Sequence, residues 1–157
     1  MSYILAKSPA HPSVITGNIY DTIARHLLDS RSSRDLQWDD PRLTFYYYGE
    51  QVRISDSVEH PEDGGNTIKW VKQPFVEKEA FEMIKKQLLL IRDYYEKQLK
   101  WKLCTDPYTL HAKLQDNGKT IHVAGETDCI AIDQQGRRHI IDFKTVSKRK
   151  GYYSILI

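Results

Sequence analysis

The sequence predicts an α+β domain, and three observations predict it. Apolar residues recur at three-to-four spacing near the N-terminus and again through a long central stretch. After Pro107 the period switches to two. Turn-forming groups, Asp-Asn-Gly at 116–118 and Gln-Gln-Gly at 134–136, divide that last region into strands. Helices followed by an antiparallel meander are an α+β pattern.

Each element follows in order. Ile19, Ile23 and Leu27 fall four apart with Ala24 and Leu28 beside them, which predicts an amphipathic helix over about 17–29, capped by Ser13 or Thr16. A polar, proline-stopped loop comes next. LTFYYYGEQVRI, rich in aromatic and branched residues, reads as a hairpin about Gly49. Its run Phe45, Tyr46, Tyr47, Tyr48 is read as sheet packing on two faces in preference to a base-stacking platform. HPEDGGN reads as a loop. Phe81, Ile84, Leu88, Ile91, Tyr95 and Leu99 then trace one face of a long helix within 75–101. Finally YTLHAKLQ, TIHVAGETDCIAID and RRHIIDFKT form the three-stranded meander.

Composition narrows the function. The 157 residues suit one domain, 1–157, and 23 basic against 21 acidic residues leave a net charge of +2, so any polyanion must be met by a local patch. No apolar run is long enough to span a bilayer, and the first residues carry a lysine and a proline where a signal peptide needs its apolar stretch. A cytoplasmic protein without a membrane partner is expected. Two cysteines, Cys104 and Cys129, without a CxxC pair point away from zinc and from an iron–sulfur cluster. His111 and His122 read as ordinary sheet histidines.

The third strand of the meander carries the chemistry. Asp142 and Lys144 are two apart and share a face. Gln134, Gln135 and Gly136 suit a three-residue loop with a left-handed glycine, a register that pairs Asp133 with Arg137 and sets Asp128 opposite Asp142. Ile130, Ile132 and Ile140 are expected to fill the rest of that face. Two carboxylates about 4 Å apart repel by about 4 kcal/mol at an effective dielectric of 20. A shared proton, Lys144 or a divalent cation relieves this, and all-oxygen ligation suits Mg2+ or Mn2+. Glu126, two before Asp128, is a further acidic candidate. Lys148, Arg149 and Lys150 follow the site as a candidate nucleic-acid grip.

Gly125-Glu126-Thr127-Asp128, a hairpin-length gap, then Ile140-Ile141-Asp142-Phe143-Lys144-Thr145 resembles the core of the PD-(D/E)xK nuclease superfamily in its RecB-like, phage-type exonuclease branch. That branch reads G-x-x-D, a turn, then a hydrophobic pair and D-x-K-T. Its upstream helix places a metal-binding histidine four residues after a glycine. Here Gly17 is followed by Asp21 in that position. The early SPAHP is similar to the start of phage recombination exonucleases of this superfamily.

The resemblance implies a restriction-endonuclease-like core, a helix and a three-stranded antiparallel meander, with residues of about 31–105 as a family-variable helical insertion. It implies a divalent-metal-dependent DNA nuclease, an exonuclease of DNA repair, recombination or phage DNA processing, acting on single- or double-stranded DNA in a bacterial or phage setting. Asp21, Asp128 and Asp142 would hold one or two Mg2+ or Mn2+ ions, with the Phe143 carbonyl added and Lys144 acting on the attacking water. Members follow the lysine with a helix carrying Q-x-x-x-Y and a further strand, and neither follows Lys144 here. The expectation is therefore a core cut short at its C-terminal side, or a protein partner or second copy that completes the sheet. The alternative is a non-catalytic nucleic-acid-binding or assembly module that keeps the nuclease fold.

Overall fold

The computed structural model describes residues 12–145 and has an α+β fold of two helices and nine strands within them. No helix among the described residues is long and apolar enough to cross a membrane. The basic stretch at Lys148, Arg149 and Lys150 lies outside the described residues. The chain divides into two compact units, one of residues 1–23 and 35–86, the other of 24–34 and 87–157. The division falls inside both helices, α1 (Pro12–Leu27) and α2 (Lys78–Asp93).

In the first unit, Ile19, Ile23, Leu43, Phe45, Ile54 and Phe81 are buried. The hairpin about Gly49 joins β1 (Thr44–Tyr47) to β2 (Glu50–Arg53). Tyr48 and Gly49 turn it with φ of +49° and +80°, the left-handed pair that matches strand twist. The aromatic run divides by the strand alternation: Phe45 is buried edge-on to Phe75, whereas Tyr46 and Tyr48 face outward. The expectation of a loop at HPEDGGN is corrected. Residues through Asp63 belong to β3 (Ser57–Asp63), paired with β4 (Ile68–Pro74), and the turn itself occupies only 64–67. Pro61 misleads a sequence reading, yet a two-stranded ribbon leaves each strand a free edge where a missing N–H costs nothing. The middle stretch is thus two hairpins and a helix, not a helical insertion alone.

The second unit carries the motif strands. The second helix is shorter than expected, passing after Asp93 into a π-helical turn (Tyr94–Gln98) that Lys100, at φ +60°, ends. Ala24, Leu28, Tyr95, Leu103, Cys129, Ala131 and Ile141 form the core of this unit. The buried Arg92 donates to the carbonyls of Leu27 and Ser30 and pairs with Glu96, so it satisfies the carbonyl end of α1. β5 (Lys102–Cys104), β8 (Cys129–Ile132) and β9 (Arg138–Ile141) form a three-stranded sheet in that order. β6 (Thr109–Asp116) and β7 (Lys119–Glu126) form a separate two-stranded ribbon.

The expected meander is corrected accordingly. Its middle strand breaks at Thr127 and Asp128, pairing with β6 before the break and with β5 and β9 after it. The break is a bulge in one long hairpin. Cys104 pairs with Ile130 and the Thr127 amide donates to the Tyr108 carbonyl, so Thr105, Asp106 and Pro107 stand opposite Asp128 and Cys129. One extra residue on one strand bends the pair and re-aims what lies across from it. β5 also lies within the stretch expected to be an insertion, yet it is an edge strand of the motif sheet.

Candidate functional site

The register of the β8–β9 hairpin builds the site. Cys129 pairs with Ile141 and Ile132 with Arg138 around a Gln134-Gln135-Gly136 loop whose glycine has φ +80°. The buried Asp133 fixes that loop. Its carboxylate accepts the amides of Gln135 and Arg137 and contacts the Arg137 guanidinium and the His139 ring. The His139 contact, opposed by burial and joined by the Arg137 bonds, holds Asp133 down to about 2. One step beyond the last pair, Asp128 and Asp142 stand opposite each other, as the three-residue loop predicts.

The face they share is the open one. Cys129, Ala131 and Ile141 are the buried row, while Ile130 and Ile132 are half-buried and Ile140 is 62% exposed. The isoleucine row therefore lines the open side of the sheet rather than the core. Small Cys129 and Ala131 sit in the same core as Ala24 of α1 and Leu28 just after it, where larger side chains would hold helix and sheet apart.

Asp128 is held from two directions. Its Oδ2 accepts the Phe143 amide at 2.8 Å and its Oδ1 accepts the Arg25 guanidinium at 3.1 Å. Arg25 also donates to the Thr105 carbonyl in the bulge. Asp142 pairs with Lys144 at 2.7 Å, and both side chains are mostly exposed. That lysine holds the Asp142 carboxyl below the usual carboxylate range, a hydrogen bond with Asp128 acts in the same direction, and slight burial opposes them. Asp142 in turn raises the Lys144 ammonium. Phe143 packs its ring against the core.

Asp21 lies on α1, in the part of that helix that belongs to the first unit. Glu126 is exposed and closes β7 opposite Thr109, and no group of three or more His, Cys, Asp or Glu among the described residues comes together to hold a metal ion. The donor set of Asp128 and Asp142 still suits a hard cation such as Mg2+, which takes one or two protein carboxylates and keeps several waters.

Two features went unread in the sequence. Arg25 lies within the helix that resembles the family motif, eight residues after its glycine, but its partner Asp128 is 103 positions away and nothing local signals the pair. Beside it, Arg25, His26, Arg31, Ser32, Thr105 and Asp106 line an open groove of about 470 Å3. At its floor the buried Asp29 accepts Arg31 through both oxygens and the Thr105 amide. Burial pushes the Asp29 carboxyl up, but these bonds outweigh it and hold the group well below the usual range. Arg31 also pairs with Asp106 at 2.7 Å, so the cations of the groove are already matched by acids.

The chain matches no protein-family model, no curated protein and no solved structure.

Proposed function

We propose that the protein is a divalent-metal-dependent DNA nuclease with a restriction-endonuclease-like core of the RecB-like kind, working as an exonuclease in the cytoplasm of a bacterial or phage-infected cell. The observation that carries this reading is the hairpin register that brings Asp128 onto the Phe143 amide beside the Asp142–Lys144 pair. Two carboxylates and a lysine at the end of one hairpin are the groups that phosphodiester hydrolysis needs.

Asp128 and Asp142 would hold one or two Mg2+ or Mn2+ ions, with the Phe143 carbonyl as a further ligand. A bound ion of this kind polarises the phosphodiester and lowers the pKa of a coordinated water. Asp128 is oriented by the Phe143 amide and Arg25, so its lone pairs point in a fixed direction. Lys144 holds the attacking water and stabilises charge as it develops on the phosphoryl oxygens. Arg25 and Lys144 offset the repulsion between the carboxylates while no cation is bound.

The experiment is incubation of end-labelled single- and double-stranded DNA with Mg2+ or Mn2+. The wild type is expected to cleave, and Asp142→Ala and Lys144→Ala to lose cleavage. Cleavage that survives both substitutions contradicts the site.

A second reading, a DNA-binding or assembly module that keeps the fold without catalysis, is favoured by the same ion pairs, since each carboxylate already has a cation partner. In that case DNA is retained and never cut. Among the described residues β9 ends the sheet with a free edge and exposed Ile140, which supports a partner protein or second copy completing the sheet in either reading.

A further inference from the structure

Charge balance at the candidate site singles out one residue. Asp128 and Asp142 bring two negative charges, and each already has a monovalent partner, Arg25 at 3.1 Å and Lys144 at 2.7 Å. A divalent cation supplies both positive charges by itself. A bound ion therefore leaves the guanidinium and the ammonium in excess beside it. The two partners are not equally held. Lys144 is 65% exposed, and an ammonium so close to water gives up an ion pair at little cost. Arg25 is 27% exposed and spans two acceptors. Its Nη2 donates to Asp128 Oδ1, and its Nη1 donates to the Thr105 carbonyl at 3.2 Å. The second bond fixes the guanidinium beside the carboxylate. On the other oxygen, Oδ2, the Phe143 amide also orients Asp128, and being neutral it does not repel a metal ion.

We propose that Arg25 is a built-in placeholder cation, which occupies the Asp128 side of the metal site until a divalent ion displaces it and so sets the concentration at which the site loads. The exchange is local. The Nη2–Oδ1 ion pair gives way to a bond between metal and carboxylate, and the guanidinium keeps the Thr105 carbonyl. Arg25 lines the open groove with His26 and Arg31, so the released nitrogen has solvent to move into. Lys144 resists loading less, because its exposed pair is already screened. The inference rests on the metal-site reading and deepens it by naming the residue that governs loading.

Electron paramagnetic resonance of free Mn2+ follows the exchange on the full chain with no substrate present. Arg25→Gln keeps an amide donor for the Thr105 carbonyl but no charge, and is expected to bind Mn2+ about tenfold more tightly than the wild type. Arg25→Met, uncharged and of similar reach, should shift in the same direction. Arg25→Lys keeps the charge and should stay within about twofold of the wild type, while Lys144→Gln should gain only about twofold. Arg34→Gln removes a different ion pair, that with Asp93, and should leave the isotherm unchanged. Melting curves give a second readout: Mn2+ should raise the melting temperature of Arg25→Gln by more than that of the wild type. An Arg25 that merely orients Asp128 predicts the opposite sign, a loss of about tenfold or more on its removal. Weaker binding in both uncharged variants would therefore overturn the proposal. Mn2+ binding by the wild type that charge removal leaves unchanged keeps the metal-site reading and removes the placeholder. No Mn2+ binding by the wild type or any variant removes both.

Discussion

Asp29 shows how a single side chain holds the neighbourhood of the site. It is 4% exposed, yet it accepts bonds from Arg31 and from the buried Thr105 amide. Its pKa is lowered in the folded state, so its contribution to stability is fully present above the unfolded carboxylate range and is lost as pH falls through and below about 4. Asp29→Ala strips the Thr105 amide of its acceptor, and a loss of about 3 kcal/mol is expected from urea unfolding at pH 7, shrinking as the pH is lowered to 3. A constant difference across that range would contradict the pairing. The cysteines give a second reading at this scale. Burial pushes the Cys129 thiol up to about 12, whereas Cys104 is only half-buried. An aromatic disulfide reagent at pH 8 should therefore titrate one thiol quickly in the native protein and two in urea. Two fast native thiols would show that the core around Cys129 is open.

At the scale of elements, the β8–β9 turn sets the geometry on which the chemistry depends. Gly136 sits at φ +80° with nothing within 4 Å of an added Cβ, so its role is conformational. Gly136→Ala is expected to cost about 1–2 kcal/mol, read as a shift in urea midpoint, while Gly125→Ala, with ordinary φ and open space, should be near neutral. Equal effects would contradict the register. That register was legible because turn chemistry is local: a glycine at the third loop position specifies it by itself. Which row is buried is not legible, because both rows of the hairpin are apolar. The structure buries Cys129 and Ala131 in one core with Ala24 of α1 and with Leu28, which follows the helix. The bulge was equally hidden, since Thr105, Asp106 and Pro107 read as a loop, and only the pairing on both sides shows one residue too many. β3 and β4 were missed because Pro61 and the two glycines outweigh their alternation.

For the whole molecule, the near-neutral charge of +2 takes on a specific form. Within the second unit acids and bases are matched locally: Arg25 with Asp128, Arg31 with Asp29 and Asp106, Lys144 with Asp142. Attraction for a polyanion is then a matter of particular surfaces rather than of bulk charge. The candidate site follows the same logic. Its carboxylates are neutralised in place, so a divalent cation must compete with a guanidinium and an ammonium that are themselves weakly held at 3.1 Å and largely exposed, respectively.

The competition can be measured directly. Titration of the full chain with Mn2+, followed by the electron paramagnetic resonance signal of the free ion, reads the cation site without requiring any substrate. The wild type is expected to bind one or two ions, and Asp128→Asn and Asp142→Asn each to weaken that binding by about tenfold or more. Identical isotherms for all three proteins would contradict the claim that these two carboxylates form the metal site.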